Sequence, residues 1–72
     1  MLDPNMVDAE GASALHFVVG LDFNEVAHWL LDHGFDFLKE NNHGESPYDI
    51  AVRRKNYPLM RRMEKMLSLI HI

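Results

Sequence analysis

Apolar residues recur at helical spacing in two stretches of the chain. In the first, the positions i, i+1, i+4 and i+5 are taken by Val26, Ala27, Leu30 and Leu31. The second stretch follows a proline and carries the longer stripe Leu59, Met60, Met63, Met66, Leu67 and Ile70. Because an α-helix turns once every 3.6 residues, each stretch is predicted to be an amphipathic helix that buries one side.

Polar residues place a shorter helix before each of these. Ser13 is a suitable N-cap for a helix over roughly 14–20. Ser46 is followed by Pro47 at the first helical position and by Asp49 for a capping box, which predicts a helix that runs to about Arg54. The chain is therefore predicted to be all-α, with four helices in two pairs.

The first long helix has a predicted start and a predicted end. Asn24 is a plausible N-cap, and Glu25 follows it in the first turn, where the helix dipole favours an anion. Gly34 is expected to end the helix, because glycine adopts the left-handed conformation without a steric penalty. Residues 35–43 then form an extended, hairpin-like loop that finishes in a run of turn residues.

The chain repeats itself at a spacing of 33 residues. Gly11–His16 (GASALH) is answered by Gly44–Asp49 (GESPYD), and Asn24–Ala27 is answered by Tyr57–Met60. A fixed period of this size is typical of stacked helical repeats, in which each unit buries its apolar side against a neighbour.

These segments resemble the ankyrin repeat family. Ser46–Ala51 (SPYDIA) is similar to the family's helix start, Thr-Pro-Leu-His-x-Ala, and Ser13–Val18 (SALHFV) keeps its Leu and His. Leu30–Asp36 (LLDHGFD) is similar to the family's Leu-Leu-x-x-Gly-Ala-Asp. The resemblance covers about residues 3–66, and it implies an ankyrin-like stack of two helix–turn–helix repeats with hairpin loops.

The resemblance divides residues 1–72, a single domain, into three parts. Residues 1–7 are expected to be the remnant of a preceding hairpin, 8–40 the first repeat, and 41–72 the second, capping repeat. The side of the first repeat that would face a preceding unit is then uncovered, and its expected assembly face is Leu15, Phe17, Val18 and Trp29. The chain is either a fragment of a longer repeat protein or a small protein that oligomerises or docks on a larger one. Trp29 itself is either packed between repeats or a partly exposed anchor.

Composition limits what else the chain could be. A chain of 72 residues buries only about 60% of its unfolded surface, and without cysteine it has no disulfide or thiolate metal site to add stability. The N-terminus shows no basic start or apolar stretch of a signal peptide, and no uncharged run is long enough for a membrane span. We expect an intracellular protein, cytoplasmic or nuclear, without membrane contact.

Charge is distributed unevenly between the two ends. The net charge of −4 hides ten acids against one base in residues 1–50, and six bases against one acid in residues 51–72. The bases are Arg53, Arg54, Lys55, Arg61, Arg62 and Lys65. They form either a solvated outer face, a docking patch for an acidic protein, or, as the weakest alternative, a nucleic-acid contact.

No catalytic or metal-binding pattern stands out. Of the five histidines, His28 and His33 are five residues apart, which turns them away from a common helix face. We therefore expect no enzyme activity, no metal and no cofactor. For His16 the resemblance implies a structural role, a hydrogen bond to the neighbouring turn.

The family resemblance implies non-catalytic protein binding through the hairpin tips and the exposed face of each inner helix. Carried onto this chain, the partner-binding positions are Ala9, Glu10, Ala12, Gly20, Leu21, Asn42, His43, Glu45, Arg53 and Arg54. The alternative is a structural segment that completes a larger stack or an oligomer through its assembly face. The expected partner is thus a protein of unknown identity, further repeats or a second copy, with a basic-ended helical domain that contacts nucleic acid as the weaker alternative.

Overall fold

The structure is a computed structural model that describes residues 6–70, with side chains through residue 68. It contains four α-helices: α1 Ala14–Gly20, α2 Asn24–Asp32, α3 Pro47–Arg53 and α4 Tyr57–Ile70. The described residues include no β-strand. The prediction of an all-α, ankyrin-like stack is confirmed, whereas most of the expected remnant at 1–7 lies outside the described residues.

The two short helices begin as their serines predict. Ser13 and Ser46 are the N-caps of α1 and α3, both with extended backbones. The Asp49 backbone N–H donates to Ser46 Oγ at 3.1 Å, and the Ser46 N–H donates to the Asp49 carboxylate at 3.0 Å. The predicted N-cap of α2 was wrong by one residue, because Phe23 is the cap and Asn24 is already helical.

The helices stack in register, because α1 packs on α3 and α2 packs on α4, while each repeat packs its own two helices together. One core lies between the two repeats and is shared by both. Its members are Leu15, Val19, Ala27, Leu30, Leu31, Phe35, Phe37, Ile50, Ala51, Leu59 and Met63. Neither repeat therefore has a core of its own that would be complete without the other.

The turn between the helices is built alike in both repeats. Asp22 and Lys55 lie 33 residues apart and both have a positive φ, 59° and 56°. A left-handed conformation is costly for residues other than glycine, so both turns hold some strain. Gly34 has φ 81°, which confirms the predicted left-handed end after α2. No helix among residues 6–70 combines the length and apolar character needed to cross a membrane.

Candidate functional site

Two hairpin tips project from the stack, and each is held by a polar side chain of its own. In the first tip, residues 8–12, the Asp8 carboxylate accepts from the backbone N–H groups of Glu10 and Ala12, each at 2.9 Å. In the second tip, residues 41–45, the Asn41 side-chain oxygen accepts from the N–H groups of His43 and Glu45 at 2.9 and 3.0 Å. These Asx turns fix the backbone of both tips.

The two tips are also bonded to each other. The Asn42 N–H donates to the Glu10 carbonyl at 2.8 Å, and the Asn42 side-chain amide donates to the Ala9 carbonyl at 3.2 Å. A Cβ added at Gly11 would lie 2.8 Å from the Asn42 side-chain oxygen, and Gly11 has φ 77°. Only glycine permits so close an approach in this conformation.

His16 joins the start of α1 to the second tip. Its Nδ1 accepts the Ser13 backbone N–H at 2.9 Å, so this nitrogen carries no proton. Its Nε2 therefore holds the proton and donates to the Glu45 carbonyl at 3.0 Å. His16 is buried. The bond to the neighbouring turn that the resemblance implied is confirmed.

Ion pairs cross the gap between the repeats at two places. Arg54 donates two hydrogen bonds to the Asp22 carboxylate, at 2.7 and 3.2 Å. These bonds lower the pKa of Asp22 and raise the pKa of Arg54. Arg62 donates to Asp32, which lowers the pKa of that carboxyl, and Arg62 also lies 3.2 Å from His28 Nδ1. Charge on the second repeat is thus used to hold the first.

The six bases do not form a uniform patch. Arg54 and Arg62 pair with acids of the first repeat, and Arg53 lies 3.0 Å from the Glu45 carboxylate at the second tip. Lys55, Arg61 and Lys65 are exposed beyond these pairs. The basic cluster is therefore divided into bases between the repeats, one base beside a tip, and three bases on the turn and outer helix of the second repeat.

Most predicted partner-binding residues reach the surface. Ala9, Glu10, Leu21, Asn42, His43, Arg53 and Arg54 are exposed, and Gly20 and Glu45 are partly exposed. Ala12 is buried, so its selection as a contact residue was wrong. The chain turns inward after Gly11, where the Asp8 carboxylate holds the Ala12 N–H.

The predicted assembly face is only partly exposed. Phe17 and Trp29 are 52% and 51% exposed, and Val18 is partly buried against the core. The expectation for Leu15 was wrong, because this side chain is fully buried. Leu15 and Val19 lie one helical turn apart and both face the core, which turns Phe17 to the other side of α1. Trp29 is not a member of the shared core and stacks on His33 with 3.9 Å between ring centroids.

Sequence reasoning placed exposed Leu21 among the partner-binding positions and missed two further members of the exposed apolar surface, Phe23 and Val26. Val26 belongs to the stripe of α2 that the pattern predicts to be buried. An open depression of about 260 Å³ lies here and is lined by Phe23, Asn24, Glu25 and Val26. The 33-residue spacing held the missing signal, because it relates these positions to residues by which the second repeat packs on the first.

The described side chains do not bring three or more His, Cys, Asp or Glu residues together as metal ligands. The arrangement of interest lies at the two tips and at the end of α3. Its five described surface side chains are Glu10, Asn42, His43, Glu45 and Arg53. Their chemistry is charge and hydrogen bonding on a fixed backbone.

A protein of Fowlpox virus (strain NVSL) named ankyrin repeat protein FPV022 is 32% identical to this chain over 68 residues. The aligned residues are 94% of this chain and 12% of that protein, so the chain spans only a small part of its relative's length. No family model matches the chain. The similarity runs through both helix pairs, and it supports ankyrin-like repeats in this chain.

Proposed function

We propose that the chain belongs to the ankyrin repeat family and is a non-catalytic module that binds a protein partner. The observation that carries the proposal is the joined pair of tips, in which Asn42 bonds to both Ala9 and Glu10. Exposed side chains on a backbone fixed in this way suit recognition, because little conformational entropy is lost when a partner binds. Similarity to an ankyrin repeat protein supports the same class of function.

The proposed surface runs from the tips to the end of α3. The first tip carries Glu10, and the second carries His43 within 3.6 Å of the Glu10 carboxylate. Arg53 lies at the other border of the surface, beside Glu45. The matching partner presents a basic or hydrogen-bond-donating patch to the tips and an acidic group to Arg53.

Arg53 and Arg54 differ in what their substitution would report. Arg54 holds Asp22 of the first repeat, so Arg54→Glu would set two acids against each other and weaken the stack. Arg53 is exposed, and among the described side chains its ion-pair partner is Glu45 of its own repeat. Arg53→Glu is therefore the variant that tests binding while it preserves the contact between the repeats.

The test begins with a photo-reactive residue placed at His43, and, as a control, at Lys65 on α4. A protein that is cross-linked from His43 and not from Lys65 is purified, and its affinity for Arg53→Glu and for the matched charge reversal Arg61→Glu is measured by calorimetry. We expect Arg53→Glu to weaken binding at least several-fold and Arg61→Glu to leave it unchanged. Equal affinities for wild type and Arg53→Glu would remove the end of α3 from the surface.

The second candidate function is assembly, and a specific observation favours it. Large apolar side chains of the first repeat, Phe17, Phe23 and Trp29 among them, lie about half exposed on one side of the stack. An exposed apolar patch of this kind marks a surface for another protein. Trp29→Asp tests this candidate, whereas Leu15→Asp would place a charge in the core and unfold the chain.

Nucleic-acid binding is less well supported, because Arg54 and Arg62 already neutralise Asp22 and Asp32. Two of the six bases are thereby turned toward carboxylates of the same chain. We propose that the module acts inside the cell, in the cytoplasm or the nucleus, where a chain without cysteine needs no oxidising environment.

A further inference from the structure

One side of the first repeat is equivalent in position to the surface by which the second repeat packs on the first. We call it the open side of the first repeat; its members are Phe17, Leu21, Phe23, Val26 and Trp29, each about half exposed. The residues 33 positions later are Ile50, Arg54, Asn56, Leu59 and Arg62. Ile50 and Leu59 lie in the shared core, and the other three bond to the first repeat.

The second repeat has a corresponding surface on its opposite side. The first repeat contacts the second through Asp22, Asn24, His28 and Asp32. The residues 33 positions later are Lys55, Tyr57, Arg61 and Lys65, all exposed. We call these four residues the far side of the second repeat.

We propose that a second copy of this chain binds head to tail, with the open side of its first repeat on the far side of the second repeat. The register is the one in which the second repeat already packs on the first. It sets Tyr57 against Phe23, because Asn24 and Asn56 are bonded at 2.8 Å in the internal contact. It sets Arg61 and Lys65 against Trp29, because Arg62 reaches both His28 and Asp32.

The chemistry of the two surfaces is complementary. A guanidinium or ammonium group against an indole face is a favourable cation–π contact, and Tyr57 with Phe23 is an aromatic pair. The acid that lines the depression on the open side is Glu25, and the far side carries three bases. The same register would bring His43 of one copy near Glu10 of the other, as it does inside the chain at 3.6 Å.

A second copy fits these surfaces better head to tail than in a symmetric pair. Two open sides face to face would leave the exposed bases of the far side without a role and would bring Glu25 of both copies together. Head-to-tail contact joins unlike surfaces and leaves one of each uncovered, so further copies continue the row. The row is held less firmly than the internal stack, because Asp49 stands where His16 does, and its carboxylate accepts from Ser46 and cannot donate a hydrogen bond to the next copy.

The experiment measures mass by sedimentation equilibrium over a hundredfold range of concentration. Two variants each block one surface: Trp29→Lys on the open side and Tyr57→Asp on the far side, where an acid at a helix start is tolerated. We expect the wild-type mass to rise past the dimer, and each variant alone to stay monomeric. An equimolar mixture of the two variants should form a dimer and stop there, because only one intact pair of surfaces remains.

Three results would overturn the inference. The wild type could stay monomeric throughout, the mixture could stay monomeric, or Tyr57→Asp could associate like the wild type while Trp29→Lys does not, which would indicate a symmetric pair. Circular dichroism confirms that each variant is folded. If Trp29→Lys is not folded, Phe23→Lys replaces it on the open side, and if Tyr57→Asp is not folded, Lys65→Glu replaces it on the far side. The inference rests on the assembly candidate alone: Arg53→Glu should leave the mass unchanged, so the proposal for the end of α3 as a partner contact is tested separately.

Discussion

Val26 and Leu59 occupy the same place in their repeats, yet Val26 is 46% exposed and Leu59 is fully buried. Both begin an apolar stripe on the second helix of a repeat, so their local patterns are alike. The difference is the neighbour, because the first repeat covers Leu59 and no described residue covers Val26 in the same way. In a stack of this kind burial is decided by the adjacent repeat more than by the helix that carries the residue.

The largest test of this comparison is the pair Leu59→Ala and Val26→Ala. Leu59→Ala removes fully buried methyl groups and leaves a cavity, so we expect a loss of about 2–5 kcal/mol in the free energy of unfolding. Val26→Ala should stay within about 0.5 kcal/mol of wild type, as is usual for exposed sites. Urea denaturation followed by circular dichroism measures both. Equal losses would mean that Val26 is covered in solution.

The capping residues of the two short helices extend the comparison. His16 and Asp49 occupy equivalent positions in α1 and α3, but the His16 side chain also bonds to the neighbouring repeat. His16→Ala removes both its bond to Ser13 and its bond to the Glu45 carbonyl, and we expect a loss of about 1–3 kcal/mol. His16→Asp copies the cap of the second repeat and should recover only part of this loss. If thermal unfolding shows full recovery in His16→Asp, the bond to Glu45 contributes nothing.

The strained turns give a smaller effect of opposite sign. Lys55→Gly relieves a left-handed conformation, and we expect it to stabilise the fold by about 1 kcal/mol. Asp22→Gly relieves the same strain but removes the acceptor of Arg54, so its gain should be smaller or reversed. Chemical denaturation of the two variants side by side provides the measurement. A larger gain for Asp22→Gly would show that its ion pair does not hold the repeats together.

The smallest effect is on the loss of folding stability at acid pH. Asp22 and Asp32 have a pKa below the ordinary value of 3.8 in the folded chain, because Arg54 and Arg62 donate to them. Their contribution is complete above the unfolded pKa and is lost as pH falls through the lower, folded pKa. Asp22→Asn with Asp32→Asn should therefore flatten the fall in stability below about pH 4. A loss of stability at acid pH as steep as in wild type would contradict these ion pairs.

Local signals predicted the fold well. Ser13, Ser46 and Gly34 mark helix ends through backbone chemistry that acts within a few residues, and the 33-residue period fixes how many pairs there are. The bond from His16 to the second tip followed from the family resemblance. Each of these features depends on residue type at one position, which a sequence states directly.

Signals that depend on a neighbour could not be predicted in the same way. Helix α1 has only two turns, and its residues are nearly all apolar, so no periodicity separates buried Leu15 from exposed Phe17. The charge of Arg54 was evident from the sequence. Its partner Asp22 is 32 residues away, and the pair forms only because the two repeats stack on each other. Most of the predicted site residues therefore lie at the surface, and their role in partner binding stays a prediction.

Gly11 has a consequence for how a partner would be recognised. Because it lets the side chain of Asn42 lie against the first tip, the two tips are joined by hydrogen bonds that restrict how far one can move relative to the other. A ligand that contacts both tips must therefore present its contact groups at a matching spacing, and the joined tips would favour partners with that spacing. A larger residue at position 11 would push the Asn42 side chain away from the first tip, and a ligand that contacts both tips would then gain less from binding them at the same time.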